Sequence, residues 1–88
     1  MSSFVLKNVT LADGGKTDIA IDNGKISNIG AGLSAEQIID CSNLIALPGF
    51  VDLHTHLREP GYEASETILT GSQSAALGGY TAVHAMAN

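Results

Sequence analysis

The rhythm of apolar positions changes once along this chain, at Pro48-Gly49. Before it, β-branched residues come in short runs at 4–11 ("FVLKNVTL"), 16–30 ("KTDIAIDNGKISNIG") and 36–47 ("EQIIDCSNLIAL"), separated by turn residues. That texture predicts a small antiparallel sheet. The sharpest local signal is Asn23-Gly24, because both residues accept the positive φ angles of a type I′ turn. Ile19 and Ile21 precede it and Ile26 and Ile29 follow, so a hairpin is expected. Asp13-Gly14-Gly15 predicts a second turn. Neither glycine cluster matches a phosphate-binding pattern, and no helix follows either, so a phosphate cradle is not expected.

Beyond Pro48 the pattern predicts a strand ("FVDLHTH"), a loop ("LREPGYEA"), a helix ("SETILTGSQSAAL"), a Gly-Gly stop and a second strand ("YTAVHAMAN"). Ser65 is the expected N-cap, with Glu66 in the first turn to meet the helix dipole, and Gly78-Gly79 the expected C-terminal stop. Ile68, Ser72, Ala75 and Ala76 recur at helical spacing and predict a small-residue face able to lie close on a sheet. A strand, a crossover helix and a second strand imply a parallel pair with a right-handed crossover. The fold class is therefore α/β, with one unit over 1–47 and another over 48–88. Internal repeats and low-complexity tracts are absent from the sequence.

Eighty-eight residues can bury only about 60% of the surface that the unfolded chain exposes, too little for a large enzyme core. Hydrophobic residues make up 44%, charged residues 15%, and there is no Trp, which suits an aliphatic piece of something larger. The net charge is −5, and Lys7, Lys16, Lys25 and Arg58 are scattered, so no basic stripe exists for nucleic acid. No apolar run is long enough to span a bilayer, and the start lacks the features of a secretory signal, so a cytoplasmic location is expected. Cys41 has no second cysteine for a disulfide or a thiolate metal site and is expected to be a small buried strand residue.

The chemistry concentrates in residues 52–58, "DLHTHLR", where two of the three histidines stand two positions apart at the end of an apolar strand. Strand alternation would put Asp52, His54 and His56 on one face, where two imidazoles can converge on one metal ion. An H-x-H pair is short enough to arise by chance. Two features add weight: catalytic groups of parallel α/β folds gather at carboxyl ends of strands, and unpartnered histidines on an aliphatic strand are costly. Arg58 adds a fixed positive charge at the same mouth. Asn88, on the residues alone, reads as a turn residue at a strand end. Glu59 and Glu63 read as solvated loop or lid residues, and His84 as a packing histidine.

Residues 48–61, "PGFVDLHTHLREPG", resemble the signature of the amidohydrolase superfamily, and more narrowly of the dihydroorotases found fused to or complexed with other pyrimidine-pathway enzymes. The superfamily motif D-x-H-x-H falls on Asp52, His54 and His56, and the narrower H-L-R-E-P-G on His56 to Gly61. "ETILTGSQSAALGGYTAVHAMAN" resembles that family's later E-T-x-x-x-G…A-A-x-G-G-x-T…M-x-N segment, with Ala87 where the family often has proline. Residues 1–47 resemble its small β-sandwich, so the resemblance covers the whole chain.

The resemblance implies that residues 48–88 are the first β-α-β unit of a TIM-type (β/α)8 barrel, incomplete here. It further implies His54 and His56 as zinc ligands, Arg58 as the arginine that binds the α-carboxylate of dihydroorotate or N-carbamoyl-L-aspartate, and Asn88 as its assistant. A guanidinium fits a bidentate carboxylate, which supports that role. Hydantoinases and dihydropyrimidinases, which act on neutral rings, do not generally carry this arginine, and allantoinases tend to have Asn there. The remaining ligands and the catalytic aspartate of the family come from later barrel strands. The expectation is thus an N-terminal fragment of a zinc-dependent cyclic amidohydrolase, inactive alone, binding one or two Zn²⁺ ions when complete. The resemblance implies aspartate transcarbamoylase or self-association as partners. Alternatives within it are another cyclic amidase or a non-catalytic scaffold.

Overall fold

A four-stranded sheet, ordered β3-β2-β1-β4, forms the first part of the computed structural model, which describes residues 3–88. The chain divides into two units, Met1–Leu47 and Pro48–Asn88. In the first, β1 (Ser3–Thr10), β2 (Lys16–Asp22) and β3 (Lys25–Gly30) form an antiparallel meander, and β4 (Gln37–Asp40) closes the far edge. Asp22 pairs with Lys25 around Asn23 (φ 53°) and Gly24 (φ 79°), the two positive values of the expected hairpin turn. Ile26 and Ile29 are three apart, which alternation alone would put on opposite faces. A register shift between Ala20 and Ile21 leaves Ser27 over, so that Ile21 faces Ile26 and Ile19 faces Ile29.

The expected all-antiparallel sheet needs one correction: β4 runs parallel to β1, with Val5 opposite Ile38 and Leu6 opposite Ile39. Residues 31–36 must therefore return from β3 to the other end of the sheet. One carboxylate anchors that return. In β1, Leu6 pairs with Ile19 and Val9 with Thr17, so Lys7 and Asn8 (φ 58°) bulge opposite Asp18. Buried Asp18 accepts from Lys7 Nζ (2.8 Å), from the Asn8 N–H (3.0 Å) and from the Leu33 N–H (3.2 Å). Lys7 Nζ also donates to the Leu33 carbonyl (3.0 Å). The side-chain bond from Lys7, then the Asn8 N–H, hold the Asp18 carboxyl down at about 2, against a burial effect of opposite sign.

The core beside this anchor is small: Val9, Ile19 and Cys41, flanked by Leu6, Leu11, Ile21 and Ala46. Cys41 is buried as expected, though it lies just past the end of β4. Val5 is wholly buried, which contributes roughly 1.5–3 kcal/mol relative to exposure. The described residues of this unit supply one sheet layer, not the two of a sandwich.

The second unit is built from β5 (Phe50–Thr55), α1 (Ile68–Leu77) and β6 (Tyr80–Ala85), with β5 and β6 parallel. Phe50 and Tyr80 meet edge to face at 5.7 Å where the pair begins. Close by, a Cβ on Gly49 would lie 2.0 Å from Thr81 Cγ2 and 2.8 Å from its Cβ, so only glycine admits this approach. The helix starts later than expected. Thr67 is the N-cap, in a reciprocal capping box with Thr70, while the N–H groups of Ser65 and Glu66 go back to the Tyr62 carbonyl in the preceding turn. The packed face also differs: Gly71 is buried and Ala75 half-buried, whereas Ile68, Ser72 and Ala76 are exposed.

Two outcomes test these packing arguments. Because Asp18 has a depressed folded-state value, its contribution is complete above the ordinary 3.8 and is lost as pH falls to about 2. Thermal melts should therefore show Asp18→Asn less stable than the parent at neutral pH, with the gap closing across that window; a pH-independent gap would contradict the anchor. Gly49→Ala should destabilise by about 1–3 kcal/mol through overpacking. Adding Thr81→Ala, which removes the two nearest atoms, should recover part of that loss, and strict additivity in the double-mutant cycle would refute the contact.

Candidate functional site

Parallel pairing brings the exits of β5 and β6 to the same edge: Thr55 pairs with Ala85, and the Met86 N–H donates to the Thr55 carbonyl (2.7 Å). His54 is the penultimate residue of β5, His56 and Arg58 lie just beyond it, and Asn88 just beyond β6. All four residues singled out from the sequence thus lie in or just beyond these strand ends.

The two imidazoles come together, ring centroids 5.3 Å apart and 68° between planes. The strand that carries His54 is irregular. Asp52 pairs with Val83 and Thr55 with Ala85, so three steps on β5 match two on β6. The extra residue changes the parity expected for Asp52, His54 and His56. Asp52, Thr55 and His56 line a cleft of about 260 Å³ against α1, while His54 is exposed and outside that lining. Within the irregular stretch the Asp52 carboxylate accepts from the His54 N–H (3.1 Å). His56 Nδ1 is buried with no hydrogen-bond partner among the described residues. An orphaned buried nitrogen is costly, and its presence beside a second imidazole is the feature a metal would relieve.

Arg58 is exposed, and among the described residues it forms no ion pair, the one such pair being Lys7–Asp18. Its guanidinium is therefore available to an anion. The loop behind it is closely tied. The Tyr62 N–H donates to the Arg58 carbonyl (2.8 Å), and the Gly61 N–H to Glu63 Oε1 (2.9 Å). Asn88 Nδ2 donates to the Pro60 carbonyl (2.9 Å), and Glu59 Oε1 accepts from the Ile68 N–H (2.8 Å). Glu59 and Glu63 are thus structural acceptors, not merely solvated loop residues as the sequence suggested. His84 is exposed on β6, not packed as expected.

The place of two residues in this region was not foreseen from the sequence, where Glu66 was expected only in the first helical turn. Leu57 and Glu66 converge on buried Gly71, where a Cβ would meet each at 2.8 Å. Glu66 also lines the cleft, with Asp52 and His56. The available signal was the glycine inside a helical pattern, which often marks close approach. Among the described residues no cluster of three or more metal-binding side chains forms.

The model of the dihydro-orotase-like family matches residues 43–88, which include β5, α1 and β6. The chain belongs to that family. It is 56% identical over 88 residues to the dihydroorotase of Leifsonia xyli subsp. xyli, covering 98% of this chain and 20% of that protein. The dihydroorotase of Mycobacterium tuberculosis is 56% identical over 79 residues (86% of this chain, 18% of that protein), and that of Streptomyces coelicolor 48% over 90 (100% and 21%). The chain therefore spans about a fifth of the length of the curated relatives it matches. No helix among the described residues is long and apolar enough to cross a membrane.

Proposed function

We propose that these residues form the opening segment of a zinc-dependent dihydroorotase, which reversibly hydrolyses (S)-dihydroorotate to N-carbamoyl-L-aspartate in cytoplasmic pyrimidine synthesis. Residues 1–47 are then one layer of the small β-sandwich, and 48–88 the first β-α-β unit of a (β/α)8 barrel that two strands cannot close. What supports this most is a close histidine pair with one orphaned buried nitrogen, followed two residues on by Arg58, which forms no ion pair among the described residues.

His54 and His56 would hold the metal as two of its ligands, a fit supported by their proximity and by the unpartnered His56 Nδ1. Zinc held there would supply the lowered water pKa that makes a hydrolytic nucleophile accessible at neutral pH. Arg58 grips the ring carboxylate in a bidentate fork, which orients the ring amide toward the histidines. Asn88, just beyond β6, assists Arg58 in binding the carboxylate and, with one amide N–H on the Pro60 carbonyl, steadies the same loop. The other ligands and the general base lie outside these residues, so the segment alone is inactive. Partners such as aspartate transcarbamoylase, or a second copy, would be met by the complete protein.

Zinc retention separates this reading from a scaffold. In the complete protein, His54→Ala and His56→Ala should each weaken zinc binding at least about tenfold, measured as metal content after graded chelation; unchanged retention in both would remove the ligand assignment. Arg58→Met should lower kcat/KM for dihydroorotate by roughly two to three orders of magnitude while sparing a neutral cyclic amide. Equal loss on both substrates would argue against a carboxylate grip.

A further inference from the structure

We propose that Glu59 is a positioning residue for the substrate carboxylate, acting through Arg58; this rests on the role given to Arg58 above. Within residues 58–61, Glu59 alone is half-buried, while Arg58, Pro60 and Gly61 are exposed. Its Oε1 accepts from the Ile68 N–H at 2.8 Å. Ile68 is the first residue of α1, so its N–H has no acceptor within the helix, and a carboxylate there is favoured by both hydrogen bonding and the helix dipole. Thr67 serves a different N–H, that of Thr70 at 3.1 Å. Glu59 therefore supplies the acceptor for a donor that the capping box leaves open.

The consequence falls on Arg58. Leu57, on one side of it, lies against Gly71 of α1. Glu59, on the other side, is bonded to the first turn of the same helix. Asn88 holds the next carbonyl, that of Pro60, from the exit of β6. Residue 58 is thus bracketed by attachments to α1 and followed by one to β6, which fixes the point from which a long, flexible side chain projects. A guanidinium on a fixed base has less freedom to lose on binding a carboxylate, and a shift of about 1 Å in such a group is enough to weaken its grip severely. The Glu59 carboxylate itself need not touch the substrate.

The test uses the complete dihydroorotase containing this segment, with Glu59→Ala, Glu59→Asp and Glu59→Gln compared on dihydroorotate and on a neutral cyclic amide. Glu59→Ala should raise KM for dihydroorotate about tenfold with kcat within about twofold, the pattern of lost uniform binding. KM for the neutral ring should not move. Glu59→Gln keeps an acceptor oxygen at full reach and should restore KM to within about threefold of the parent, whereas the shorter Glu59→Asp should resemble Glu59→Ala. A purely structural role would lower the folded fraction, hence apparent kcat, without this substrate-selective change in KM. If Glu59→Ala does not fold, the Asp and Gln variants carry the same comparison. Amide exchange at Ile68 should be faster in whichever of Glu59→Ala or Glu59→Asp folds. An unchanged KM, an equal rise for both substrates, or equal defects in Gln and Asp would each overturn the proposal. A parent enzyme with no dihydroorotate turnover would overturn the underlying reading and this one with it, whereas an active parent with any of those results overturns only the role of Glu59.

Discussion

The parallel pairing of β5 with β6 is the constraint on which the chemistry of this chain depends. An antiparallel pair would send residues 56–58 and 86–88 to opposite edges; a parallel pair places both exits together. A crossover is then obligatory, and α1 supplies it. The contact between Asn88 and Pro60, residues far apart in the chain, follows directly from this geometry. So does the location of the tied loop, which has an anchor just beyond β6 as well as on α1.

Within that frame, irregularities do the local placing. The mismatch between Asp52–Thr55 on β5 and Val83–Ala85 on β6 turns His56 toward the cleft and leaves His54 exposed beside it. In the first unit, the bulge at Lys7 and Asn8 frees an N–H and presents an ammonium to one buried carboxylate. That carboxylate in turn holds Leu33 and the returning segment, which allows β4 to run alongside β1. In both units a side-chain carboxylate accepts from a backbone N–H at the irregular point: Asp52 from His54, and Asp18 from Asn8. A bulge disrupts the ladder locally, and a short acidic side chain is the nearest replacement acceptor.

Glycines at close approach complete the placement. Gly49 lets Thr81 sit over the entry to β5, and Gly71 admits Leu57 and Glu66 to the helix surface. Among the described residues, large apolar side chains including Ile38, Ile39, Leu53, Leu69 and Leu77 are exposed.

Much of the local structure was legible in the sequence because its causes are local. Asn23-Gly24 dictates its turn through backbone sterics, β-branched runs dictate strands, and the spacing of strand, helix and strand dictates a parallel pair. The residue types at 54, 56, 58 and 88 were equally visible, as was the resemblance they carry. What only the tertiary structure decided depends on contacts between distant residues. The direction of β4 rests on Asp18 meeting Leu33, and the start of α1 on Tyr62 taking up the Ser65 and Glu66 N–H groups. The inward turn of Glu59 rests on an open N–H at Ile68. A carboxylate in a loop reads as solvated until an unsatisfied donor is brought within reach, and in this chain folding brings it there.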